Sequence, residues 1–93
     1  MKKEDKSFWQ LERIVKGFAN HRRIEIMSLL AKEPELSVAQ ITERLKINLK
    51  TASEHIRRLA IAGLVLKRSD GNNVRHKLSE RGEGILKFLR ILE

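Results

Sequence analysis

The stretch SVAQITERLKINLKTASEHIRRLAIAGLVLKRSDGNNVRHKL, residues 37–78, decides the fold. Ser37, with Gln40 three residues on, has the spacing of a capping box, in which two side chains satisfy backbone N–H groups at a helix start. Val38, Ile41 and Leu45 then share one face of a short helix that ends near Lys46. A turn over Lys46 to Asn48 follows, and Asn48 caps a helix over 48–62 whose inward stripe is Ala52, Ile56 and Leu59. Gly63 suits the left-handed position just past that helix. Two strands, Leu64–Ser69 and Val74–Leu78, flank Asp70-Gly71-Asn72-Asn73, a strong hairpin signal. In the second strand Val74, His76 and Leu78 share one face, while Arg75 and Lys77 share the other. Two short helices joined by a tight turn and followed at once by a basic hairpin predict a winged helix-turn-helix.

Outward from that stretch, Ser7 is the expected N-cap of a first helix running to about Ala19, with Phe8, Leu11, Ile14, Val15 and Phe18 in one stripe. Trp9 falls off this stripe. Asn20 caps a second helix, His21 to Lys32, in which Ile24, Met27 and Leu30 face inward and Ile26 and Leu29 widen the face. Pro34 ends it. Ser79 caps a last helix that continues to the C-terminus, and six of the eight residues from Ile85 to Leu92 are apolar. A one-sided surface helix needs fewer than that. The last helix therefore asks for cover on two sides, one from its own domain and one from a symmetry mate, with Phe8, Trp9, Leu11, Ile85, Phe88, Leu89 and Leu92 as the expected homodimer seam. The expected architecture is mainly α with a small β-hairpin: four helices, two strands, one helix, as one domain over residues 1–93.

Composition narrows the partner. The chain carries 20 Lys and Arg against 12 Asp and Glu, a net charge of +8, and 41% hydrophobic residues. That is apolar enough for a core, and basic enough to call for an anionic partner, nucleic acid first and an anionic membrane surface second. Absence of cysteine excludes disulfides, thiolate metal sites and a Cys nucleophile. Met1-Lys2-Lys3 is followed by Glu4 and Asp5 rather than an apolar run, so no signal peptide is legible. The longest apolar run, Leu59 to Leu66, is far short of the roughly 20 residues of a membrane span. These features predict a cytoplasmic protein, and the spread of basic residues through the fold does not suit a membrane-surface helix.

On the 48–62 helix, Lys50, Ser53, Glu54 and Arg57 lie opposite the buried stripe, which is how a recognition helix presents itself to the major groove. Arg57 can bond bidentately to guanine. Lys50 and Thr51 suit phosphate contacts near the helix start, and His55 can reach a phosphate. Glu54 either accepts from cytosine N4 or pairs with Arg57 or Arg58 on its own helix. In the hairpin, Lys67, Arg68, Asn72, Asn73, Arg75 and Lys77 read as a wing along the DNA backbone or in the adjacent minor groove.

From Phe18 to Leu78 the chain resembles the ArsR family of winged-helix regulators. Phe18-Ala19-Asn20-His21-Arg22-Arg23-Ile24-Glu25-Ile26 resembles the family's L-A-N-P-T-R-L-x-I opening of its second helix. Thr51-Ala52-Ser53-Glu54-His55-Ile56-Arg57 is similar to its recognition pattern T-V-S-R-H-L-K, and Ala62-Gly63-Leu64-Val65 to its A-G-L-V exit into the wing. Leu78-Ser79-Glu80-Arg81-Gly82 is similar to the L-T-x-x-G start of the last helix in MarR-type and PadR-type relatives. Metal-sensing members carry E-L-C-V-C-D-L in the third helix. Here Glu35-Leu36-Ser37-Val38-Ala39-Gln40-Ile41 has Ser37 and Ala39 at the thiolate positions, and the last helix has no His. Glu54 stands for the family's usual Arg, Arg58 for an apolar residue, and His21-Arg22 for Pro-Thr, which marks a divergent member.

The resemblance implies a dimeric, sequence-specific binder of double-stranded DNA, a repressor that occludes a promoter, with no metal and no cofactor. A small-molecule effector at the dimer seam is compatible with this, but no dedicated pocket is legible. The alternative is a winged-helix module that binds protein or RNA, suggested by Leu49 and Ile61 on the outer side of the 48–62 helix. No Gly-rich phosphate loop, paired carboxylates in a cleft or nucleophile with a base is legible, so an enzyme is not expected.

Overall fold

The computed structural model describes residues 5–93. Its elements are α1 (Phe8–Phe18), α2 (His21–Lys32), α3 (Val38–Leu45), α4 (Leu49–Ile61), β1 (Val65–Asp70), β2 (Asn73–Leu78) and α5 (Glu80–Ile91). Met1 to Glu4, on which the expectation of no signal peptide rests, lie outside the described residues.

Each helix starts where a short polar side chain can take up orphan backbone N–H groups. Ser7 and Gln10 form a capping box at α1, with bonds of 3.1 and 2.8 Å, and Ser37 and Gln40 form another at α3, with bonds of 3.2 and 2.9 Å. Asn20 Oδ1 accepts from the Arg22 and Arg23 N–H groups, and Asn48 Oδ1 from those of Lys50 and Thr51. Ser79 Oγ accepts from the Gly82 N–H at 3.0 Å while its own hydroxyl donates to the Gly63 carbonyl at 2.6 Å, which ties the start of α5 to the end of α4. α2 stops at Lys32, just before Pro34.

The helix-turn-helix is α3 and α4. Its turn closes through Lys46, a non-glycine residue in the left-handed region (φ +54°), whose backbone N–H bonds the Thr42 carbonyl. The core beneath it is built from Ile26, Met27 and Leu30 of α2, Ile41 of α3, Ile56 and Leu59 of α4, and Leu64, all fully buried. Ile24, expected on the inward face, is only half-buried, because α2 turns Ile26 rather than Ile24 into the centre.

The hairpin is tighter than the sequence suggests. Asp70 pairs with Asn73, so only Gly71 and Asn72 form the turn and both strands reach one residue further than expected. Gly71 at φ +65° supplies the positive angle at the first turn position, as a two-residue type II′ hairpin needs. β2 also bonds on its other side. The Glu35 N–H donates to the His76 carbonyl at 2.8 Å and the His76 N–H to the Leu36 carbonyl at 2.9 Å, making Leu36 a one-residue third strand. Nothing in the local sequence foretells this pairing.

The terminal helices are covered on one side only. α1 buries Phe18 and half-buries Ile14, but Leu11 and Val15 are exposed and Phe8 is 90% exposed. On α5, Leu86 is buried, and Ile85 and Leu89 lie half-buried against the chain's own core. Phe88, Ile91 and Leu92 face outward, Ile91 at 77% exposure.

Candidate nucleic-acid interface

α4 divides cleanly between inside and outside. Ala52, Ile56 and Leu59 are buried, which fixes the rotation of the helix and turns Lys50, Thr51, Ser53, Glu54, Arg57 and Arg58 outward. The N-terminus of α4 is also exposed, and its positive dipole end favours an anion there.

Glu54 organises this face. Arg57 donates to both of its carboxylate oxygens, Nε to Oε2 at 3.1 Å and a terminal nitrogen to Oε1 at 2.9 Å, while Arg58 Nε donates to Oε1 at 3.1 Å. These hydrogen bonds from Arg57 and then Arg58 hold the Glu54 carboxyl at a pKa of about 2, so it is ionised throughout the physiological range. Of the two readings the sequence leaves open, the free chain adopts the ion pair on its own helix. Exposed pairs of this kind contribute little to stability, but the two-pronged geometry fixes where Arg57 points.

His55 is held at the edge of the face. Arg23 Nε of α2 donates to His55 Nδ1 at 3.0 Å, so Nδ1 is unprotonated and the ring's proton sits on Nε2. Partial burial and then the Arg23 charge push this imidazole below its ordinary pKa. His55 is thereby tied to α2, with Nε2 left to reach a ligand.

In the wing, Arg68 and Arg75 lie directly opposite one another across the hairpin. Like charges in that position repel, and each is met by a carboxylate. Arg68 bonds Glu35 Oε1 at 2.6 and 2.9 Å, and Arg75 bonds Asp70 Oδ2 at 3.2 Å. Glu35 sits at φ +69° in the loop before α3 and anchors the wing to the helix-turn-helix from 33 residues away in sequence. Sequence reasoning missed this residue, and no local signal marks it. No carboxylate of a described residue lies within ion-pair distance of Lys50, Lys67 or Lys77. Asn72 and Asn73, at the hairpin tip, are exposed.

The structure therefore brings two sets of predicted residues to the surface: Lys50, Thr51, Ser53, Glu54 and Arg57 on α4, and Lys67, Arg68, Asn72, Asn73 and Lys77 on the hairpin, with Arg75 half-buried beside them. Arg58 joins the first set, and its i,i+4 spacing from Glu54 is the signal for it. Among the described residues, no group of three His, Asp or Glu side chains is close enough to hold a metal ion, and no helix is long and apolar enough to cross a membrane.

A two-helix unit packed with α2 around one core, with a basic hairpin behind it, defines a winged helix-turn-helix protein. The profile of the bacterial regulatory protein arsR family matches residues 20–67, just over half the chain and the whole helix-turn-helix with the start of the wing. The chain belongs to that family. It is 32% identical over 84 residues, 90% of its own length, to the HTH-type transcriptional regulator Rv0324 of Mycobacterium tuberculosis. It is 35% identical over 66 residues, 71% of its length, to the transcriptional activator HlyU of Vibrio cholerae. The match spans 36% of the first protein and 60% of the second. Among solved structures it is similar to a homodimeric winged helix-turn-helix DNA-binding domain from Mycobacterium bovis, described as a possible ArsR-family transcriptional regulator. The TM-score is 0.81 with 31% identity, covering 89% of this chain and 77% of that one.

Proposed function

We propose that residues 1–93 act as one unit that binds double-stranded DNA sequence-specifically as a homodimer, with α4 in the major groove and the β1–β2 hairpin as the wing. The observation that carries this reading is the outward face of α4, where Glu54 orients Arg57 in line with exposed Lys50 and Ser53. Arg57 supplies the guanine contact, and Lys50, Thr51, Lys67, Arg75 and Lys77 supply phosphate contacts. Dimerisation uses the exposed apolar residues of α1 and α5, namely Phe8, Trp9, Leu11, Phe88 and Leu92, with Ile85 and Leu89 beneath them. The Mycobacterium bovis neighbour, a homodimer, supports dimerisation. We assign repression by promoter occlusion, which requires only tight binding at the right place. HlyU carries the name activator, so a reporter placed behind the selected operator sets the sign.

The test is selection of bound duplexes from a random pool at about 0.15 M salt, near physiological ionic strength. An inverted repeat with half-sites about 10 base pairs apart is the expected result. Arg57→Ala should then relax preference at one base pair by about 1–3 kcal/mol. Arg75→Ala should lower affinity evenly across sequences and flatten the salt dependence. Retention without enrichment overturns specificity. A second reading, a protein-binding module, draws on the exposure of Leu49 and Ile61 on α4, and absence of any retention favours it.

A further inference from the structure

A half-open cleft of about 580 Å³ lies between α1, the C-terminal half of α4 and the start of α5. Its apolar floor is Ile14, Gly17, Ile61 and Ala62. Around this floor stand Lys6, Arg13, Lys16, Arg23, Arg58 and Arg81, with Glu54 as the lone carboxylate among the lining residues. At this floor α1 and α4 approach closely: a side chain at Gly17 would strike Ala62.

Six cations gathered on one cleft are costly to leave without an anion, and here few carboxylates neutralise them. Arg23 instead donates to the Lys16 and Gly17 carbonyls at the end of α1, and Arg81 to the Ala62 carbonyl at the end of α4. Those carbonyls satisfy donors and orient the guanidinium groups but carry no full negative charge. Arg58 shares Glu54 with Arg57, Lys16 pairs with Glu12 in an exposed pair, and Arg13 lies over the Trp9 ring, 5.0 Å from its centroid. On α1, Gln10, Arg13, Ile14 and Gly17 face the cleft, while the exposed Phe8, Leu11 and Val15 project from the opposite side of the helix. A dimer formed through Phe8, Leu11 and Val15 leaves Gln10, Ile14 and Gly17 clear, with Arg13 over Trp9 at the border between seam and cleft.

We propose that this cleft is a binding site for a small phosphorylated organic molecule, its phosphates held by the arginine forks and its carbon skeleton resting on Ile14 and Ile61. Guanidinium groups match phosphate oxygens two at a time, and the apolar floor distinguishes an organic phosphate from the inorganic ion. Arg58 makes the site regulatory, a step that rests on the DNA-binding reading. An anion that draws Arg58 off Glu54 leaves that carboxylate to Arg57 alone, and so alters the residue assigned to base contact.

The experiment is calorimetric titration of the DNA-free protein with adenosine 5′-diphosphate, with inorganic phosphate and adenosine as comparisons. The expected result is saturable binding of the diphosphate, at least about tenfold tighter than inorganic phosphate. Arg13→Glu/Lys16→Glu, two exposed changes on α1, should weaken it by at least about tenfold without shifting the thermal midpoint. Equal affinity for inorganic phosphate, or a double variant that binds as the wild type does, overturns the proposal. So does a double variant that loses DNA affinity while the wild type ignores the diphosphate, because the cleft then belongs to the DNA footprint. Because the titration contains no DNA, failure of every duplex to bind would leave a positive titration standing and would sink only the DNA-binding reading.

Discussion

The α2–α4 body and the two terminal helices solve the same problem in opposite ways. In the body, Ile26, Met27, Ile41, Ile56 and Leu59 leave no more than about 1% of their surface to water. The outer sides of α1 and α5 leave Phe8, Trp9, Phe88, Ile91 and Leu92 more than half exposed. Both regions are rich in apolar residues at helical spacing, so periodicity alone does not tell them apart. The difference is that three helices crossing over one another enclose a centre, whereas a pair of end helices presents a flank. That flank is the surface the proposed dimer would use.

The largest effect should come from the sealed side. Leu59→Ala leaves a cavity that its neighbours cannot fill, and is expected to cost about 2–5 kcal/mol in urea unfolding. A cost under 1 kcal/mol would mean that the body is looser than its burial implies.

The open side should respond in association rather than folding. Phe88→Glu/Ile91→Glu is expected to raise the dimer dissociation constant roughly a hundredfold or more, about 3 kcal/mol, with little loss of helical circular dichroism. Sedimentation equilibrium reads this directly. A variant that stays dimeric would move the seam elsewhere and erase the contrast between the two regions.

The smallest effect separates the regions by pH. His76 is buried, and its Nδ1–H donates to the Leu36 carbonyl at 2.8 Å, the opposite tautomer from His55. Burial, the dominant cause, pushes its pKa below the ordinary value, while the bond to Leu36 opposes that. The unfolded chain, titrating near 6.5, then binds the proton more readily than the folded one. Stability from this residue is full above about pH 6.5 and declines as the pH falls through the unfolded value toward the folded one, and His55 acts in the same sense. The urea midpoint should therefore drop between about pH 7.5 and pH 5.5, and His76→Gln should reduce that drop. An unchanged drop would assign it to other groups.

Much of this was legible because it is local. Ser7, Asn20, Ser37, Asn48 and Ser79 all cap the helices expected of them, since a capping side chain reaches only two or three residues along the chain. The inward stripe of α4 was equally legible, and it dictates which of its polar residues face out. The hairpin was legible as a hairpin but not in its two-residue register, because Asp-Gly-Asn-Asn admits more than one turn.

What lay beyond reach was every relation that crosses the chain. Arg68 finds Glu35, Arg23 finds His55, and Leu36 pairs with His76 across separations of 32 to 40 residues. Each involves a residue type that has several equally good partners in the sequence. The same holds for the basic cleft, whose cations come from α1, α2, α4, α5 and the segment before α1. By itself, then, the sequence determined the element order, the caps, the outward face of α4 and the sign of the charge, because these depend on spacing and composition along one strand of chain. Tertiary structure alone decided which arginines are pinned by carboxylates, which apolar residues of α1 and α5 remain uncovered, and where the cations converge, because those are set by the crossing of helices that the sequence lists one after another.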